Sequence, residues 1–302
     1  MKTKIIVSIF LFVFVLFLWQ GIYFPKDIQT TESKLFLVET GQNFFQIGKN
    51  LEKEGLIKNR FYFTFYVLIR GGQKKLQAGE YELNPSMSMA EIEKKIVSGD
   101  IVKIIVTIPE GFRVKQIEER LNLKLPGEDL EGFLFPDTYE FPLNVSGEEV
   151  VKKMTENFNK KIAPYRDKIY DSEKTLFEII TMASLLEKEV KTLEEKQLVS
   201  GILWKRLENN MPLQVDATIS YITGKKTTKI SKEETQIDSP YNTYKYLGLP
   251  LGPICNPGLE SIKAALYPEI SQYWYYLSTP EGETIFSKTL EEHNIAKAKY
   301  LK

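Results

Sequence analysis

Two glutamates stand two positions apart in the segment Met182–Val190, MASLLEKEV, and helical geometry separates them. At roughly 100° per residue, Leu176, Ile179, Ile180, Met182, Ala183, Leu186, Val190 and Leu193 form one apolar arc. Glu187 projects inside that arc, between Leu176 and Ile180, whereas Glu189 falls outside it beside Glu178, where water is expected. A carboxyl held among apolar groups resists ionisation because its charged form loses hydration, and that suits a general acid working near neutral pH. The competing reading is a buried glutamate paired with an Arg or Lys from elsewhere in the chain. His293 and Cys255 are each the only residue of their type; together they leave no Cys/His cluster for structural zinc, and nothing supports a metal or any other cofactor.

The elements that must position Glu187 are legible in outline. Helical periodicity runs over 150–168 and again over 174–209. Upstream, 35–38 and 79–83 read as strands, 44–54 and 60–69 as helices stopped at Gly55 and Gly71, and 87–97 as a helix with Ser88 and Glu91 in capping-box spacing. Ile101–Ile108 is a β-branched strand ending at Pro109, 114–121 returns to helix, and 123–147, rich in Pro, Gly and aromatics, reads as an ordered loop. Trp274–Leu277 is a further strand. The class is α+β, with a boundary near residue 100.

Ile5–Trp19 is an uncharged apolar run that continues to Phe24. About 20 such residues cross a hydrocarbon core. Lys2 and Lys4 put the preceding end inside the cell by the positive-inside rule, so the remainder is expected outside. A cleaved signal peptide fits less well, since bulky Trp19, Tyr23 and Phe24 stand where a signal peptidase needs small residues. The organisation expected is therefore a cytoplasmic tip and membrane anchor over 1–24, a polar spacer over 25–34, a small subdomain over 35–100 and a larger domain of helices and short strands over 101–302. Forty basic residues balance forty acidic ones, so no global field draws the chain to nucleic acid.

The string ASLLEKE, Ala183–Glu189, resembles a signature of the YceG-like family of endolytic murein transglycosylases. EGFLFPDTYEF (131–141), LQVDATISY (213–221), SPYNTY (239–244), GLPLGPICNPG (248–258) and EEHN (291–294) resemble further segments of that family in the same order. Residues 35–100 occupy the place of the family's LysM-like subdomain. The resemblance implies cleavage of the β-1,4 bond between N-acetylmuramic acid and N-acetylglucosamine within a peptidoglycan strand, leaving a 1,6-anhydro end and terminating strand growth. It implies Glu187 as the catalytic residue, the one that the helical arc picks out, and peptidoglycan synthases as partners. The other matched segments offer Gln214, Asn242 and Thr243 to hydrogen-bond sugar groups, Tyr139, Tyr241 and Tyr244 as flat faces for rings, and Glu131 as a further contact. Their plain structural readings stand beside these: Asn242 shaping a turn after Pro240, tyrosines in the core, Glu131 and Asp137 in caps or ion pairs. Asp216, Asp137 and Glu131 could each be the second carboxylate of an ordinary hydrolase, and a non-catalytic peptidoglycan-binding scaffold is the rival from another class.

Overall fold

A computed structural model describes residues 2–30, 32–225 and 230–301. Met1 and Thr31, which the anchor and the spacer include, lie outside the described residues, as does the side chain of Lys2. The chain divides into two compact units, one of residues 1–105 with 140–145, the other of 106–139 with 146–302.

The first unit opens with helix α1 (Lys2–Tyr23), long and apolar enough to cross a membrane. Strand β1 (Lys34–Val38) pairs antiparallel with β2 (Gly79–Leu83), Phe36 opposite Tyr81, and helices α2 (Phe44–Lys53) and α3 (Arg60–Ile69) lie between them in sequence. Helix α4 (Met89–Ser98) follows, with the Ser88–Glu91 capping box formed as its spacing predicts. The period-two strand pattern turns Phe36, Val38, Tyr81 and Leu83 inward, and the helical stripes add Ile47, Leu51, Phe63, Val67, Ile92 and Ile96 to one core. Strand β3 (Lys103–Thr107) is two residues shorter at its start than its sequence pattern.

Helix α5 (Val114–Leu121) leads into the stretch expected to be loop. It contains strand β4 (Thr138–Pro142), which pairs with β3, so the Pro/Gly-rich composition concealed a short strand. The 150–168 pattern becomes α6 (Gly147–Ile162) and α7 (Arg166–Asp171), broken where Pro164 withdraws a backbone donor. The 174–209 pattern likewise divides, into α8 (Leu176–Glu189) and α9 (Leu193–Glu208), because Thr192 starts a new capping box with Glu195. Then come α10 (Asp216–Thr223), α11 (Leu259–Leu266), the hairpin of β5 (Tyr275–Ser278) and β6 (Thr284–Ser287), and α12 (Leu290–Tyr300). The core of this unit gathers around α8, whose buried Ile179, Ile180, Met182, Ala183 and Leu186 pack with Val199 and Leu203 of α9 and Ile262 and Leu266 of α11. At about 25 cal/mol per Å² this apolar burial is the main force holding α8 between its neighbours.

Candidate active site

Glu187 sits in the last turn of α8, and its surroundings are polar, unlike those its helical arc led one to expect. Its Oε2 accepts from the backbone N–H of Gly258 at 3.0 Å and from the Ser261 hydroxyl at 2.6 Å, and the Lys196 ammonium lies 3.6 Å away. Gly258 is the cap residue of α11 and Ser261 stands in its first turn, so the carboxylate meets the positive end of that helix. Lys196 comes from α9 and is only 3% exposed. The site therefore joins the two sequence readings: a carboxylate on the inner face of α8 that is also half of a buried ion pair.

A second carboxylate faces the same point. Glu110, in the turn after β3, lies so close to Gly258 that a Cβ there would overlap its carboxylate oxygens. Burial pushes its carboxyl up, the charge of Glu187 pushes the same way, and Lys196 pulls against them. Gly111, next in the chain, has φ +76 and would place a Cβ 2.8 Å from Lys188 Nζ and 3.4 Å from Glu187 Cγ. Only glycine satisfies both the backbone and the space. The turn is fastened to the loop before α11: Gly111 N–H donates to the Asn256 carbonyl at 2.8 Å, and Asn256 N–H to the Phe112 carbonyl at 2.9 Å.

Asn256 also ties in Glu131. Its amide donates to Glu131 at 3.2 Å and to the Phe112 carbonyl at 3.0 Å, while its oxygen accepts from Leu134 N–H at 2.9 Å. Glu131 accepts in addition from Val114 N–H at 3.2 and 3.3 Å. Burial drives its carboxyl up to about 7, against that N–H and the charges of Arg113 and Lys188. Asp137 is occupied elsewhere: against the cost of burial, Asn157, the Thr138 N–H and Lys161 hold it below the ordinary carboxyl range.

Glu189 departs from expectation. It is half-buried, not open to water, and accepts from the Tyr276 hydroxyl at 3.0 Å and from Ala217 N–H at 3.3 Å. Burial, and then the charge of Asp216, push its carboxyl up to about 7. Asp216 is itself raised by burial and accepts from the Tyr244 hydroxyl. The wheel misplaced Glu189 because β5 and α10, distant in sequence, close over that side of α8.

The expected glycan-contacting residues differ in what they leave free. Asn242 is 1% exposed; its amide donates to the carbonyls of Thr235 and Ile237 and its oxygen accepts from Tyr244 N–H, so it holds its own loop. Thr243 is buried and its hydroxyl accepts from Val215 N–H at 3.0 Å. Tyr139 is buried, its hydroxyl donating to the Phe135 carbonyl at 2.5 Å. Gln214, by contrast, is exposed, in a left-handed conformation (φ +54) pinned by its N–H bond to the Thr243 carbonyl. Tyr241 is half-buried, 4.8 Å from Tyr221, over whose ring lies the Arg113 guanidinium at 4.4 Å. His293 stacks on Tyr275, and burial lowers its pKa to about 4, so it is neutral at physiological pH. Cys255 is buried, with its thiol pushed far up by desolvation. Sequence reasoning missed Glu110, Lys196 and Ser261. The signal for Lys196 was present: it shares the buried stripe of α9 with Val199 and Leu203, where Arg206 is the other buried charge.

Residues 36–299 match the model of the YceG-like family. The chain is 33% identical over 314 aligned residues to an endolytic murein transglycosylase of Bacillus subtilis strain 168, covering 91% of this chain and 86% of that one. It is 30% identical to the endolytic murein transglycosylase of Streptococcus pneumoniae strain D39, spanning 59% of that longer protein. A 2.6 Å crystal structure of a YceG-like protein from Listeria monocytogenes superposes with a TM-score of 0.60 at 34% identity, covering 88% of this chain and 99% of that one.

Proposed function

The chain belongs to the YceG-like family, and from that membership and the site around Glu187 we propose that it is an endolytic murein transglycosylase cutting within peptidoglycan glycan strands. The bond is the β-1,4 link from N-acetylmuramic acid to N-acetylglucosamine, and the product carries a 1,6-anhydro end that terminates the nascent strand. The observation that carries the reading is the carboxylate of Glu187 fixed by Gly258 N–H, Ser261 and Lys196. A purely binding scaffold has no use for such a costly buried charge.

Glu187 enters the cycle after taking a proton from solvent, and first gives that proton to the glycosidic oxygen as the C1–O bond breaks. It then takes the proton of the sugar's own C6 hydroxyl as that oxygen closes on C1. No water is consumed, so one carboxyl suffices. Lys196 offsets the negative charge Glu187 carries between the two steps, and Gly258 N–H and Ser261 hold Oε2 in place, leaving Oε1 to carry the proton. Gln214 and Tyr241 lead the candidates for holding the strand; Asn242, Thr243 and Tyr139 support the surface from within. Residues 35–100 form the LysM-like part of this reading, α1 anchors the protein in the cytoplasmic membrane with its N-terminus inside, and peptidoglycan synthases are the expected protein partners.

Glu110 supports a second reading, a lysozyme-type hydrolase, because a second carboxylate beside the first is what water activation requires. Purified peptidoglycan digested with the enzyme and weighed by mass spectrometry separates the two. Muropeptides one water lighter than reducing ends are expected; reducing ends alone would refute the lytic mechanism. Glu187→Gln should remain folded and release neither product, and wild-type cleavage by that variant would remove Glu187 from its role. Glu110→Gln should still give anhydro ends, only more slowly.

A further inference from the structure

Helix α3, RFYFTFYVLI, carries between its terminal arginine and Ile69 no polar groups on its side chains except the hydroxyls of Thr64, Tyr62 and Tyr66. One face, Phe63 and Val67, is fully buried in the core of the first unit. The opposite face is also apolar yet uncovered: Phe61 is 51% exposed, Leu68 45% and Ile69 67%, and Phe61 stacks on Phe65 with ring centres 6.1 Å apart. A helix in water does not keep two apolar faces without something to cover the second.

Helix α1 indicates what that is. On the helical wheel Tyr62 and Tyr66 lie directly beside the uncovered face, and both touch α1: the Tyr62 ring is 5.3 Å from Phe17 and the Tyr66 ring 6.3 Å from Tyr23. Gly21 makes the approach possible, since a Cβ there would overlap the Tyr62 ring. The contacts advance together along the two helices, Tyr62 against Phe17 and Gly21 and Tyr66 against Tyr23, so α3 runs alongside the outer end of α1, its first turn up to about 9 Å inside the terminus of the apolar span and its last turn level with that terminus. Interfacial helices bury their apolar face to about 5–10 Å. Exposed Lys58 and Arg60 at one end of α3 and Arg70 at the other can reach back to phosphate headgroups, as long cationic side chains at an interface do.

We propose that α3 dips into the membrane surface beside α1, Phe61 and Phe65 seated among the lipids and Leu68 and Ile69 at the outer edge, so that the first unit is held to the bilayer by two elements. This rests on the reading of α1 as a membrane anchor. The test uses the full chain in liposomes containing anionic lipid, with a single nitroxide label introduced through Phe61→Cys, Leu68→Cys, Val13→Cys in α1, or Tyr170→Cys, which is fully open to water at 89% exposure. Buried Cys255 is checked for lack of labelling in the parent chain. Relaxation by oxygen against a water-soluble nickel chelate reports the surroundings of each label. The expected result is a lipid signature at Val13 and at Phe61, with an oxygen-to-nickel ratio several-fold above that at Tyr170, and a smaller rise at Leu68. A lipid signature at Val13 with water-like values at both Phe61 and Leu68 overturns the proposal while leaving the anchor intact. Water-like values at Val13 overturn the anchor reading, and this one with it.

Discussion

At the scale of single residues, the buried charges decide how the site answers to mutation and pH. Removing Lys196 alone leaves Glu187 without its counter-ion, and Lys196→Met should destabilise the fold by about 3 kcal/mol, the usual penalty for breaking a buried pair. Adding Glu187→Gln should restore most of that loss in a double-mutant cycle followed by urea unfolding; additive losses would show that the two do not act as a pair. Glu189 gives a signed pH effect. Its carboxyl is raised from 4.5 to about 7, so its contribution to stability is complete below the ordinary value and is lost as pH climbs through 7. Glu189→Gln should therefore gain on the wild type as pH rises from 5 to 8, by at most about 3 kcal/mol. A difference in melting temperature that stays flat across that range contradicts the burial assigned to Glu189.

Among the elements, the part of the site carried by α8 was legible and the part brought to it was not. The apolar arc marks the inner face of α8, and Glu187 follows from it. Gly258 and Ser261, however, reach Glu187 from more than seventy residues away, and no local period announces such a contact. The same limit explains Glu189, whose cover comes from Tyr276 and Ala217. Breaks hidden in long periodic stretches had local causes, Pro164 and the Thr192 capping box, that a reading of period alone passes over. The meeting of the Glu110 turn with the start of α11 can be tested directly. Gly258 has φ −74, which alanine adopts freely, so the only fault of Gly258→Ala is its clash with Glu110. Cleavage should fall by about tenfold, the effect of a small misplacement at the reacting group, with the melting temperature nearly unchanged. Unaltered turnover would mean that the position of Glu110 does not matter to the reaction.

For the molecule as a whole, the return of residues 140–145 to the first unit sets when that unit can exist. β3 leaves it and β4 re-enters it, with Lys103 paired to Glu140 at 3.2 Å and the Asn144 amide bonded to Glu80 at 2.6 Å. A ribosome that has released residue 105 has made most of this unit but not the segment that completes it. Its last strand emerges only after the opening stretch of the second unit has been synthesised. Chains ending at residue 105 should therefore be cut by protease markedly faster than chains ending at 145, and equal resistance would show that the borrowed segment adds nothing. By the same logic, this unit cannot be passed between proteins as one uninterrupted stretch of gene. A swap that stops at the first crossing leaves its sheet waiting for a strand that the new host does not encode.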